Sequence, residues 1–235
     1  MAWMRWGPQR SQQSPILVLY FRPRAGMAEL VDAADSKSVA LKRRVGSIPS
    51  PGTKLFFMNF CSNCGNRVVL KVPEGDFLPR HVCDRCGTVH YLNPKLVVGS
   101  VPEYQGRILL CKRGIEPRLG FWTIPAGFME NDETLEAGAA REAQEEACID
   151  VEIGSLLLLA NVTHARQVHV FFRSRMRTPD FATTHESLEV RLVDEQDIPW
   201  GELAFPSTEA ALRHYVADRA AGLERHHVAE MPRRF

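Results

Sequence analysis

The chain has 235 residues, 45% of them hydrophobic, and a formal net charge of +1. That describes one or two ordinary globular domains and leaves no charge excess to draw the protein to nucleic acid or to an acidic membrane surface. Its longest apolar runs, residues 16–21 and 156–160, are far shorter than the ~20 residues of a membrane span, and the first is also shorter than the ~7–15 residues of a secretory signal core.

Residues 1–57 hold no sustained apolar periodicity beyond a short helix-like stretch at 27–33 and nothing catalytic. The segment Gly46-Ser47-Ile48-Pro49 can be encoded by GGTTCGATTCC, and Gly52-Thr53 fits a continuation into ACC, so this region reads like a transfer-RNA gene translated as protein. Met58 is therefore the expected natural start, with 1–57 a mis-assigned extension or a disordered arm.

Immediately after it, Cys61-x2-Cys64 and Cys83-x2-Cys86 are separated by eighteen residues, and Gly65 and Gly87 follow the second cysteine of each pair. Four thiolates complete the tetrahedron of a zinc ion and leave no open position for chemistry, so the expected unit is a small structural zinc ribbon over 58–92. Thiolate-held zinc, with no mark of secretion, makes the cytoplasm the expected location. Cys111 and Cys148 read as small buried hydrophobes rather than nucleophiles.

Asn93-Pro94 closes the ribbon, since the residue before a proline is pushed toward extended structure. Strands are expected over 95–102 and 107–112, joined by a turn at Tyr104-Gln105-Gly106, then over 121–124, 151–161, 167–175 and 188–193. Gly127 follows Pro125 and Ala126 and reads as opening a loop. Thr134 is a suitable N-cap for a helix rich in alanine, within which Gly138 costs ~1 kcal/mol relative to alanine and so signals close backbone approach. A last helix is expected over 208–221, with Ala211, Leu212, Tyr215 and Val216 as its core stripe. Strands interleaved with two helices make an α/β (α+β) domain over 93–235, a mixed sheet between helices.

The first helix carries Glu142, Glu145 and Glu146, and Glu142 lies within helical reach of both others. Such like-charge stacking costs roughly 0.2–0.5 kcal/mol per pair, and a divalent cation would remove the cost. The pattern around it is Gly127, five residues, Glu133, seven residues, Arg141, Glu142, Ala143, one residue, Glu145, Glu146, one residue, Cys148, Ile149. It resembles the Nudix box, matching every charged position; Ala143 is small for its place, and Cys148 stands where glycine is usual.

That resemblance implies a hydrolase that cleaves a nucleoside diphosphate linkage with Mg2+ or Mn2+. Glu142, Glu145 and Glu146 would hold the metal together with the backbone carbonyl of Ala126, while Glu133 and Arg141 would brace the loop against the helix. The family often takes its general base from a loop downstream of the box, where Glu186 is the first choice and Glu189 the second.

Outside the box, the segments YLNPKLVVGSV, ILLCKRGIEPRLGFWTIPAGF, HESLEVRLV and LAFPSTEAALRHY resemble zinc-ribbon Nudix hydrolases that act on FAD and ADP-ribose. The expected partner is a small dinucleotide or nucleotide sugar, with AMP released. Relatives of this kind are often homodimers. NADH and NAD-capped RNA stand second, because the SQPWPFPQS-type segment of those enzymes is absent and Phe205-Pro206-Ser207 matches only its end. A regulator that binds ADP-ribose without cleaving it is a third reading. Phe121, Trp122 and Phe128 are candidates for base stacking, and Arg113 and Arg118 for phosphate binding.

Overall fold

The computed structural model describes residues 58–233, so the expectations placed on 1–57 lie outside the described residues. The ribbon is a three-stranded antiparallel sheet in the order β1 (Val68–Lys71), β2 (Arg80–Cys83) and β3 (Val89–His90).

The remainder is a mixed sheet. Its strands are β4 (Lys95–Tyr104), β5 (Arg107–Arg113), β6 (Trp122–Thr123), β7 (Ala126–Phe128), β8 (Val151–Val162), β9 (Gln167–Met176), β10 (Ser187–Val193) and β11 (His227–Glu230). The main path runs β10-β5-β4-β9-β8-β11, with β6 pairing β5 and β7 pairing β4. The β4–β9 and β8–β11 pairs are parallel and the other neighbours antiparallel. Two helices complete the domain, α1 (Leu135–Ala147) and α2 (Pro206–Ala221).

Strand alternation distributes the core between the two faces of the sheet. Ile108 and Leu110 of β5 and Phe171 of β9 join Ala211, Leu212 and Tyr215 of α2. Leu109 and Cys111, one residue out of phase, meet Ala143 and Ala147 of α1, while Val170 and Phe172 meet Ala139 of the same helix. Leu157 and Leu158 both enter the α2 side because the β8–β9 register shifts around Leu156 and Leu158. Full burial of a side chain such as Leu212 contributes about 1.5–3 kcal/mol, and α2 docks largely through that stripe.

On the α1 side the helix itself contributes alanines and a glycine to the contact. A Cβ at Gly138 would stand 2.7 Å from a Glu133 carboxylate oxygen and 2.8 Å from Val98. The mid-helix glycine is thus the close approach its position implied. At the start of α1, Ala137 N–H donates to Thr134 Oγ1 over 3.1 Å. At its end, Cys148, exposed rather than buried as its type suggested, takes the left-handed conformation itself (φ 55°), and its N–H reaches Gln144 O over 3.0 Å. A side chain there costs roughly 1–2 kcal/mol relative to glycine, yet the helix stops where it would with the usual residue.

Two elements depart from the sequence reading. Gly127 lies within β7, paired opposite Val98, rather than in a loop. Three residues are too few to show alternation, and the strand exists because β4 offers an edge. Strand β11 was not anticipated either: its exposed Val228 gives it no apolar face, and its register comes from parallel pairing with 158–161. Asp218 of α2 holds this C-terminal segment, accepting from Arg225 Nε at 2.8 Å and His227 Nε2 at 2.9 Å while Arg173 donates from the sheet at 2.5 Å. Among the described residues no helix is long and apolar enough to cross a membrane.

Candidate active site

The box folds as strand β7, a loop, and helix α1, and its glycine, arginine and glutamates meet there. Glu142 and Glu146 point from α1 toward β7 and are 7% and 6% exposed. A Cβ on Gly127 would clash with a Glu142 carboxylate oxygen, so with glycine there that carboxylate can lie directly over the strand. Next to it, Ala126 N–H donates to Glu146 Oε2 over 3.2 Å. Glu145 is one helical step aside, with its side chain 57% exposed.

Arg141 links the loop to the helix. Its Nε and Nη2 donate to the two oxygens of Glu133 at 3.0 and 2.8 Å, and Nη1 reaches Glu142 Oε1 at 2.8 Å and Glu145 Oε2 at 2.9 Å. Nη2 also donates to the carbonyl of Phe128 at 3.2 Å. Glu133 accepts in addition from Glu130 N–H at 2.7 Å. One planar guanidinium thus fixes the loop, the end of β7 and two helical carboxylates. Arg141 and its hydrogen bonds hold the Glu133 carboxyl down to about 2.

The buried carboxylates behave oppositely. Burial raises Glu142 above the usual carboxylate range, against the pull of Arg141. Burial likewise pushes Glu146 up to about 8, despite the Ala126 N–H, and the charges of Glu142 and Glu186 add to the effect. Two acids that resist ionising side by side provide a place where a cation is favoured.

Glu186 sits immediately before β10, its N–H bonded to Thr184 Oγ1 (3.2 Å) and its carbonyl to Gly114 N–H (2.7 Å). Its charge is felt by both Glu142 and Glu146. Glu189 lies farther along β10, opposite Lys112, with its carboxylate taken by Arg191. The two downstream candidates are therefore separated by their surroundings: only Glu186 shares the field of the buried pair. Arg113, at the end of β5, shares it as well. Burial lowers its basicity, Glu146, Glu186 and Glu116 oppose that, and its guanidinium lies 5.0 Å from the Phe205 ring centre while Nε donates to Pro117 O at 2.9 Å.

The other aromatic and basic candidates divide. Trp122 is buried in the α2-side core. Phe128 is half exposed, with Lys95 Nζ 4.9 Å from its ring centre, and Arg118 stacks 3.7 Å from the centre of Phe121. Sequence reasoning missed Lys95; His169, which the sequence places on a strand near the mouth as a hydrogen-bonded or solvent-facing residue, is buried on β9, its Nδ1 meeting Ser207 Oγ and its Nε2 meeting Gln167 Oε1, each at 2.9 Å. Burial lowers His169 to about 4, so it is neutral near pH 7. Only the parallel β4–β9 register, which sets Val97 beside His169, brings these residues near Phe128.

The ribbon presents a different chemistry. The sulfurs of Cys61, Cys64, Cys83 and Cys86 all lie within 4.8 Å of one another, the one such cluster among the described residues. Cys61 and Cys86 are 3.6 Å apart and Cys64 and Cys83 3.5 Å, close to the ~3.8 Å edge of a tetrahedron with 2.3 Å zinc–sulfur bonds. Gly65 and Gly87 have φ of 69° and 72°, and each N–H returns to Cys61 O or Cys83 O at 2.9 Å. These are two equivalent metal-binding turns. The donor set fits one structural zinc ion.

A four-thiolate ribbon thus precedes a mixed sheet whose first helix carries two buried carboxylates. The chain belongs to the Nudix family: the family's domain model matches residues 94–216, and the model of its N-terminal zinc ribbon matches 59–92. A crystal structure of a Nudix hydrolase from Nitrosomonas europaea is similar, at 48% identity and a TM-score of 0.73 over 75% of this chain and all of that one. An ADP-ribose pyrophosphatase from Methanocaldococcus jannaschii is 39% identical over 67 residues, 28% of this chain and 40% of that protein. A NAD-capped RNA hydrolase from Photobacterium profundum is 37% identical over 100 residues, 42% of this chain and 35% of that protein. The chain thus spans well under half the length of these two relatives.

Proposed function

We propose that this chain is a magnesium-dependent pyrophosphatase acting on a small nucleoside diphosphate metabolite, ADP-ribose or FAD, and releasing AMP. The observation that carries the reading is the buried pair Glu142 and Glu146 against Ala126-Gly127, where ionisation is unfavourable without a cation. Glu142, Glu145, Glu146 and the Ala126 carbonyl would hold Mg2+ (Mn2+ serving equally), an oxygen donor set suited to a hard cation. When bound, the metal supplies charge neutralisation at the diphosphate and acidifies water.

The residues of the chain supply the rest. Glu186 takes a proton from the attacking water, whose oxygen bonds to phosphorus as the bridging phosphoanhydride bond breaks. The leaving phosphate departs with the bridging oxygen, giving AMP and ribose 5-phosphate from ADP-ribose, or AMP and FMN from FAD. Arg113 stands beside the carboxylates as a cation for the phosphate chain, and Glu133 with Arg141 keeps α1 and its loop in register.

The resemblance to an ADP-ribose pyrophosphatase supports ADP-ribose, and the similar NAD-capped RNA hydrolase gives a second reading, cleavage of NADH or of an NAD cap. Incubating the full chain with Mg2+ and, separately, ADP-ribose, FAD, NADH and NAD-capped RNA distinguishes them by AMP or 5′-phosphate release. Fastest turnover on ADP-ribose or FAD is expected; preference for the cap transfers the assignment to the second reading, and no cleavage of any substrate refutes both.

A further inference from the structure

The zinc cluster has a neighbour that the cysteine spacing does not reveal. His90 of β3 is buried, and its Nε2 lies 3.3 Å from Cys61 Sγ. It stands directly opposite His81 in the β2–β3 ladder, on a strand whose Cys83 is itself a member of the cluster. Cys61 also receives the backbone N–H of Asn63 at 3.4 Å, while Thr88 Oγ1 lies 3.0 Å from Cys86 Sγ.

We infer that His90 is a positioning residue for the zinc ion, donating Nε2–H to the Cys61 thiolate and slowing metal loss from the buried side of the ribbon. Four thiolates around Zn2+ leave a net charge of −2, and burial makes that excess costly unless hydrogen-bond donors share it. Cys61 and Cys83, at 3% and 0% exposure, have little access to water for this purpose. A zinc-bound thiolate carries no proton, so it can only accept; an imidazole nitrogen facing it at this distance must be the protonated one. His90 is not a fifth ligand, because the four sulfurs already complete the tetrahedron. The inference concerns the ribbon alone and stands whether or not the proposed hydrolysis is correct.

Two substitutions separate donation from packing. His90→Leu fills much of the space without a donor, and His90→Gln keeps an N–H. In the full chain, transfer of zinc to the chromogenic chelator 4-(2-pyridylazo)resorcinol should be roughly tenfold faster for His90→Leu. His90→Gln should stay within about threefold of the unaltered protein, retaining most of the hydrogen bond's effect. In the cobalt-substituted protein, the thiolate charge-transfer band should move to lower energy only in the leucine variant. Equal release rates in all three proteins overturn the inference, as do two equally fast variants with unshifted bands, which would make His90 a packing residue. Should the leucine variant not fold, nitrogen-15 spectra of the unaltered protein decide: the Nε2–H tautomer of His90 is expected, and the Nδ1–H tautomer overturns the donation.

Discussion

In the ribbon four sulfurs already stand within 4.8 Å of one another, whereas on α1 two carboxylates are buried and the third turns outward to Arg141. The thiolates come from two tight turns, each closed by a backbone hydrogen bond from the following glycine. The carboxylates come from one helix face, where a guanidinium bridges Glu142 and Glu145 while burial makes Glu146 reluctant to ionise. A site that only has to hold its ion can be closed and complete. One that must exchange a metal with its substrate is left open and electrostatically unsatisfied, and that contrast separates the structural from the chemical half of this chain.

The contrast breaks most sharply at the ribbon. Cys83→Ser should abolish bound zinc and unfold residues 58–92, because zinc binding to such sites supplies roughly 10–16 kcal/mol of folding energy; zinc content by atomic absorption and far-ultraviolet dichroism check this. Persistent stoichiometric zinc would show that the cluster is not the metal's seat.

At the carboxylate end, Glu186→Gln should lower kcat by about 10²-fold or more, the usual worth of a positioned base. Glu189→Gln, whose carboxylate is spent on Arg191, should change it by less than about threefold. Steady-state kinetics on ADP-ribose reads both, and the reverse ranking would move the base to Glu189.

The pH dependence of stability sharpens the comparison further. Glu146 is raised to about 8 from the ordinary carboxyl value of 4.5, so between those values the folded protein binds more protons than the unfolded one. Its contribution is fully present below pH 4.5 and is lost as pH rises through 8. Metal-free protein should therefore lose on the order of 1 kcal/mol per pH unit across that window. Saturating Mg2+ should flatten the slope, as urea melts with and without the metal would show. A still smaller effect, about 1–3 kcal/mol, is expected for Gly127→Ala, whose Cβ would displace the Glu142 carboxylate; thermal melts and Mg2+ titration measure it.

Much of this was legible in the sequence because its causes are local. Thr134 caps α1, Gly138 marks the approach to Val98, and the CxxC-Gly pairs fold as turns whatever surrounds them. Helical spacing also placed Glu142 near both its partners. From Glu142, Glu146 is displaced by about 40° around the axis and Glu145 by about 60° the other way. Which of them is buried depends on where the sheet lies, and no spacing contains that. The same limit hid β7, which exists through pairing with β4, and β11, which is tethered by Asp218 across the end of α2. Arg113 was legible as a basic residue before the box, but its place beside Glu146 and Glu186 requires the β10–β5 register.

If the buried acids of α1 are a metal platform rather than a structural oddity, Glu146→Gln should remove a ligand from it. Mn2+ binding followed by electron paramagnetic resonance, with zinc content and AMP release measured on the same samples, is the measurement. The variant should keep its zinc and its fold, bind Mn2+ at least about tenfold more weakly and lose turnover by about 10²-fold or more. A variant that binds Mn2+ and cleaves substrate as the unaltered protein does would leave Glu146 without a metal role.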